Sequence, residues 1–304
     1  MDLITTNGLC KRYGGKLVID HVNMHVPEHT VYGFVGENGS GKTTIMRLLT
    51  GLAEPSEGSF TLFGVKNTDN RIYQARQQMS AIVETASLIP TFNAIDNMRF
   101  QELYLGIVST DEERLALLKK VHLDEVEPKK KVKNYSLGMR QRLAIALSLI
   151  NHPKLMLLDE PMNGLDPEGI AELRDLLIDL NQKEGITVLI SSHILSELEK
   201  IASCYGFISK GKIIQEITAE ELQQNCRKCV DVKVSDVATA EKVLKELGLT
   251  DYKASSSGEI KIFSDVDVNK LMSAFVSNKV NVLSFNSTEE SVEDYYLNLI
   301  KEAK

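Results

Sequence analysis

The sequence predicts a layered α/β domain followed by a smaller α+β unit. Three observations carry that expectation. Strand-like and helix-like patterns alternate over the first 220 residues, which predicts much parallel sheet. A glycine-rich loop stands between a buried strand and a helix, the setting of a phosphate-binding loop. Near Glu220 the pattern turns shorter and more polar and reads β-α-β-β-α-β, which fits a ferredoxin-like unit. The expected domains are residues 1–220 and 221–304.

The elements follow in order. Residues 1–23 read as antiparallel strands turned at the hairpin Tyr13-Gly14-Gly15-Lys16. Residues 31–35 read as a buried strand and 45–49 as a helix. From about 74 to 131 the chain is more helical, with no strong strand after Val83, as a helical insertion beneath the main sheet would be. Residues 143–150 and 170–180 have helical spacing. Buried strands at 155–158 and 186–190 run into Asp159 and into Ser191-Ser192-His193. In the second unit, 230–234, 252–254, 260–263 and 280–285 read as strands, and 238–247 and 268–276 as helices. A last helix spans 291–303, opened by a Ser-x-x-Asp cap. This unit carries no chemical constellation and is read as structural or regulatory.

Bulk properties narrow the function classes. At 304 residues, with 43% hydrophobic and 25% charged content, the chain has the composition of a soluble globular protein. Its apolar runs fall well short of the roughly 18 residues of a membrane span, and no signal peptide is visible. A cytosolic location is expected, with any membrane role needing a separate partner. Net charge is −7, which argues against nucleic acid as the main ligand; Lys129-Lys130-Lys131 reads as a solvated loop. Cys226 and Cys229 have zinc-ligand or redox spacing, but no second pair accompanies them, so reduced thiols are the default.

The glycine-rich loop is Gly36-Glu37-Asn38-Gly39-Ser40-Gly41-Lys42-Thr43-Thr44. Glycines let such a loop wrap tightly, so that backbone N–H groups point at phosphate oxygens, and the helix N-terminus adds partial positive charge. Lys42 can reach the β- and γ-phosphates, and the Thr43 hydroxyl can ligate Mg2+. The implied ligand is a nucleoside triphosphate. Asp159 ends a buried strand, where ligands of open α/β sheets gather, and is placed to bind Mg2+. Glu160 is expected to point elsewhere by strand alternation and to activate water as a general base. Two acids after a strand can also form a helix N-cap, a reading that Pro161 and the loop after it weaken.

Tyr135-Ser136-Leu137-Gly138-Met139-Arg140-Gln141-Arg142 precedes an amphipathic helix upstream of Asp159. With the loop and the two acids in this order, the chain resembles the ATP-binding subunits of ABC transporters over residues 3–215. A lone Ser-x-Gly would mean only a helix cap. The resemblance implies a P-loop NTPase cassette with a mixed-sheet core, an antiparallel β subdomain and a helical subdomain at about 85–150. It implies ATP and Mg2+ as ligands, a homodimer, and a separate integral membrane permease, with the chain peripheral on the inner face of the membrane. Ser136, Leu137, Gly138 and Met139 stand at the signature that faces the γ-phosphate of the opposite subunit, with Leu137 for glycine and Met139 for glutamine.

Three further positions match. Tyr13 resembles the residue that stacks on adenine, although alone it would read as a strand-surface tyrosine. Asn163-Gly164-Leu165-Asp166 resembles the loop that crosses between subunits. His193 resembles the switch histidine at the γ-phosphate, although alone it would read as a core residue. The family usually has glutamine where this chain has Glu84; a carboxylate can still contact Mg2+ or water but adds charge and removes a donor. Glu84, the Ser-Leu-Gly-Met signature and the C-terminal extension resemble the exporters of bacitracin and lantibiotic peptides. The implied function is therefore the ATPase of such an exporter, conferring immunity or resistance. The rival readings are a non-transport ATPase of the same family, acting on nucleic acid or ribosomes, or an assembly factor.

Overall fold

The computed structural model describes residues 1–84, 87–226, 228–255, 258–263, 266–289 and 291–302. They form two compact units, Met1–Ala219 and Glu220–Glu302. In the first, the chain runs through β1 (Asp2–Tyr13), β2 (Lys16–Val22), β3 (His25–Pro27), β4 (Val31–Val35), α1 (Lys42–Thr50), β5 (Glu57–Leu62) and β6 (Val65–Lys66). Then come α2 (Ile72–Arg76), β7 (Met79–Ile82), α3 (Ala94–Leu105), α4 (Asp111–Lys120), α5 (Leu137–Leu149), β8 (Leu155–Asp159) and α6 (Pro167–Glu184). The unit closes with β9 (Thr187–Ser192), α7 (Leu195–Leu198), β10 (Cys204–Ser209) and β11 (Lys212–Thr218).

Two sheets result. One has the order β11-β10-β4-β9-β8-β7 and is mixed, parallel from β10 to β7 and antiparallel at β10–β11. The other has the order β2-β1-β5-β6 with β3 on β1, all antiparallel, and Tyr13 pairs Lys16 across the hairpin. Every residue of β4, β8 and β9 is buried, as expected of parallel strands covered on both faces. The strand that holds the phosphate loop thus sits at the centre of the sheet, with the strands ending in Asp159 and Ser192 on one side of it.

Helix ends are set by local chemistry. Gly41 opens α1 at φ 115° and Gly51 closes it at φ 85°, both in the left-handed region. Thr110 and Glu113 form a capping box on α4. α3 and α4 are joined by a buried ion pair in which Arg114 donates from Nε to Glu102 Oε1 at 2.9 Å and from Nη2 to Oε2 at 2.5 Å.

The second unit contains α8 (Ala219–Asn225, begun at the boundary), β12 (Lys228–Val234), α9 (Val237–Glu246), β13 (Tyr252–Ala254), β14 (Glu259–Ile262), α10 (Val268–Ser277), β15 (Val282–Glu289) and α11 (Val292–Glu302). Its sheet has the order β13-β14-β12-β15, antiparallel throughout, the ferredoxin-like arrangement expected from the β-α-β-β-α-β pattern. Val232, Leu244, Ile260, Ile262, Leu271 and Phe275 form its core. Ser291 Oγ accepts the Asp294 N–H at 3.1 Å and so caps α11. The side chain of Cys229, and with it the zinc or redox reading of the Cys226–Cys229 spacing, lies outside the described residues.

Two strands start later than their apolar runs. Ile186 donates to Leu180 O at 3.2 Å, and its carbonyl accepts from Asn181 Nδ2 at 2.9 Å, so it closes α6 instead of opening β9. Val280 donates to Phe275 O at 2.9 Å behind Lys279 at φ 58°, a Schellman closure of α10.

Candidate nucleotide site

The site grows from the carboxyl ends of β4, β8 and β9. Leaving β4, the chain turns through Gly36, Glu37, Asn38, Gly39 and Ser40 before Gly41 opens α1. A Cβ on Gly36 would lie 2.5 Å from both Ile208 O and Ser40 Oγ, so this close approach requires glycine. Gly39 has φ 80°. Among the described residues no side chain caps α1 at Gly41, so its first turn of N–H groups, from Lys42 onward, faces the loop uncapped. Ser40 Oγ is buried without a hydrogen-bond partner among the described residues. Uncapped helix N–H groups, a buried hydroxyl and a glycine cradle are the donor set that a phosphate chain requires.

Lys42 is only 5% exposed. Its Nζ donates to Gly36 O at 2.6 Å and Glu37 O at 3.3 Å, and lies 3.3 Å from Glu160 Oε1. The ammonium is thereby held directly over the loop. Asp159 is buried, and both its oxygens accept hydroxyl protons: Oδ2 from Thr43 at 2.7 Å and Oδ1 from Ser191 at 2.6 Å. Thr43 and Asp159 together present the hard oxygen ligands that suit Mg2+.

Glu160 departs from the alternation expected of it. The strand ends at Asp159, and Glu160 takes φ 50°, so its carboxylate returns to the site that Asp159 lines. There Oε2 accepts from Nδ1 of His193, the residue directly after β9. The side chain of His193 is 38% exposed, which sets aside the core-residue alternative. Lys42, Glu160 and His193 thus form one chain of charge-capable groups.

The remaining positions lie around this centre. Glu84, at φ 67°, is ion-paired with Arg47 of α1 and lines a cavity of about 650 Å3 shared with Asp159, Glu160 and Asn163. Tyr13 is 43% exposed at the end of β1, with Lys11 Nζ 4.9 Å from its ring centre. Ser136 caps α5 by accepting the Met139 N–H at 3.2 Å, and Asp166 caps α6 by accepting the Gly169 N–H at 2.9 Å. Both residues are therefore helix caps within their own chain. Leu137 packs on Gly164 and Gly138 faces Leu165, and these residues line one cavity of about 430 Å3 with Ser136 and Asp166. Ser191 and Arg47 carry contacts that no linear motif announced.

Comparison with known proteins agrees with this geometry. Residues 19–163 match the family described as ABC transporter. The chain is 37% identical over 302 residues to the bacitracin transport ATP-binding protein BcrA of Bacillus licheniformis, covering 98% of this chain and 97% of that protein. It is 44% identical over 214 residues to the lantibiotic transport ATP-binding protein SrtF of Streptococcus pyogenes, covering 70% of this chain and 90% of that one. Among solved structures, the dimeric ATP-binding cassette MJ0796 with ADP and Pi matches at TM-score 0.63 and 25% identity, over 71% of this chain and 98% of that one. Among the described residues no helix is long and apolar enough to cross a membrane. With its phosphate loop, paired acids and histidine assembled on this sheet, the chain belongs to the ABC transporter family, as one of its ATP-binding, ATP-hydrolysing subunits.

Proposed function

We propose that this chain is the ATPase subunit of a membrane exporter for antimicrobial peptides. The observation that carries this reading is the length of the match. Similarity to a bacitracin transport subunit runs over 98% of the chain and so includes the second unit, which a cassette alone lacks. Glu84 in place of the usual glutamine points the same way. The non-transport alternative gains nothing from these relatives, and the net charge of −7 speaks against a nucleic-acid partner. On this reading the chain sits on the inner face of the membrane, bound to a separate integral permease.

Each residue of the site then has a part in the reaction. Gly36, Asn38, Gly39, Ser40, Gly41 and Thr44 wrap the phosphates with backbone and hydroxyl donors, and Lys42 neutralises the β- and γ-oxygens. Thr43 and Asp159 would hold Mg2+, with Glu84 at the rim. Mg2+ bound there would supply charge neutralisation as the phosphoryl group leaves. Glu160 takes a proton from the attacking water, and His193 holds the Glu160 carboxylate in place. Tyr13 stacks on adenine. Ser136, Leu137, Gly138 and Met139 contact the nucleotide of a second copy, with Asp166 on the loop between them.

Expression with its permease in a peptide-sensitive bacterium tests the reading. The pair should raise the inhibitory concentration of bacitracin or a lantibiotic, and Glu160→Gln should abolish the gain while lowering ATP turnover by about 10²–10⁴. An intact membrane complex that protects against neither peptide would overturn the peptide-export reading.

A further inference from the structure

The acids at the end of β8 are joined by a side chain that has no role in the reaction so far. Asp159 and Ser191 are the last paired residues of the β8–β9 ladder. Beyond them Glu160 turns out of the ladder at φ 50°, an unfavourable conformation for a residue with a Cβ. Its N–H donates to Ser191 Oγ at 2.8 Å, in place of a ladder carbonyl. The single hydroxyl proton of Ser191 goes to Asp159 Oδ1 at 2.6 Å. A serine hydroxyl has one proton and free lone pairs, so both bonds are made at once.

We infer that Ser191 is a positioning residue, whose hydroxyl fixes the left-handed turn at Glu160 and so aims the Glu160 carboxylate at Lys42 and His193. The inference rests on the role proposed for Glu160. Ser191 is 0% exposed, so its hydroxyl is fixed by its two partners, the Asp159 carboxylate and the Glu160 N–H, and not by bulk water. Thr43 grips the other oxygen of Asp159, which leaves Ser191 as the link between the Asp159 carboxylate and the Glu160 backbone. Without the hydroxyl, the N–H loses the acceptor that holds it among the described residues. Rotation of the peptide between Asp159 and Glu160 relieves that, and the same rotation carries the carboxylate away from Lys42 Nζ, now 3.3 Å from it. The next serine acts elsewhere. Ser192 Oγ accepts the Ile194 N–H at 2.9 Å and shapes the turn that carries His193.

Two substitutions of nearly equal shape isolate the hydroxyl: Ser191→Thr keeps it and Ser191→Val removes it. In the full-length chain, Ser191→Val should lower kcat by about 10–100-fold, the usual effect of losing an outer-shell partner. KM for ATP should stay within about threefold, because the phosphate loop and the Thr43–Asp159 bond are kept. Hydrogen exchange at the Glu160 amide should speed up in Ser191→Val and stay near wild type in Ser191→Thr. In a Glu160→Gln background, Ser191→Val should cause no further loss, as expected when one residue acts through the other. Should Ser191→Val fail to fold, Ser191→Ala replaces it against the same threonine control. Equal kcat and equal exchange in the valine and threonine variants overturn the inference, whether both are active or both impaired. A further loss in the Glu160→Gln background also overturns it. If Glu160→Gln itself turns over like wild type, the role of Glu160 falls, and that outcome is distinct from an inactive Glu160→Gln beside indistinguishable Ser191 variants.

Discussion

Lys42 Nζ stands 3.3 Å from Glu160 Oε1 while donating to Gly36 O at 2.6 Å, so one ammonium ties the phosphate loop to the carboxylate at the end of β8. The contact spans the floor of the site. On the proposed reading, a γ-phosphate would meet a lysine and an acid already on the same side of the loop, and would take over the ammonium from the oxygens that now hold it.

Lys42→Ala should therefore separate binding from folding. Hydrogen bonds to charged groups are worth about 1.5–3 kcal/mol. The loss corresponds to ATP affinity weaker by about 10–100-fold. Titration with a fluorescent ATP analogue beside a melting curve checks this; unchanged affinity would remove Lys42 from the site.

If Ser136 and Gly138 act across a dimer, lesions on different chains can fall on one nucleotide. A mixed dimer with Lys42→Ala in one chain and Ser136→Ala in the other leaves the second site whole in a crossed arrangement. Trapping of nucleotide at a single site per dimer is the expected result. No trapping at all would mean that the signature serves its own chain.

The buried pair of Arg114 and Glu102 predicts a stability effect far from the nucleotide. Arg114→Ala strands a buried carboxylate and should cost about 3–5 kcal/mol. Melting should drop by about 2–4 °C per kcal/mol for a unit of this size. Replacing both residues by apolar ones of similar volume should recover much of the loss. A single Arg114→Ala as stable as wild type would contradict the buried geometry.

Tyr32 predicts an alkaline effect. Burial, and then the neighbouring Glu216 charge, hold its phenol well above the usual value; its hydroxyl donates to Glu216 Oε1 at 2.7 Å. The unfolded phenol ionises near its ordinary pKa of about 10, while the folded one keeps its proton. Above that pH the folded state binds more protons than the unfolded state, so stability falls as pH rises. Tyr32→Phe should be less stable than wild type at neutral pH by about 1.5–3 kcal/mol, the worth of a bond to a charged acceptor. The gap should narrow above about pH 10. Urea midpoints of both proteins across that range provide the check.

Some features of the site are legible in the sequence and some are not, for physical reasons. Buried apolar runs that end in Asp159 and His193 mark strand ends, and the glycine spacing around Lys42 marks a phosphate loop, because each is a local pattern. Glu160 is legible by type but not by direction, since alternation holds only while the ladder continues and φ 50° ends it. The Ser191–Asp159 bond joins residues 32 apart, and the Arg47–Glu84 pair joins residues 37 apart. Neither leaves a periodic trace. Ile186 and Val280 look like strand residues by hydrophobicity, yet helix closure claims their N–H groups.

The two hydroxyls that hold Asp159 come from Thr43 and Ser191, on opposite sides of it in the chain. The central strand β4, which leads into the phosphate loop, pairs with β9, the strand that carries Ser191. Contacts of such long sequence separation are slow to form, because each closes a large loop before any stabilisation is gained. A chain emerging during synthesis therefore has the phosphate loop long before it has a working site. Nucleotide that binds only the completed arrangement stabilises it by mass action. ATP would then favour the finished subunit over its partly folded precursors, and subunits made when nucleotide is scarce would linger in the forms most open to proteolysis.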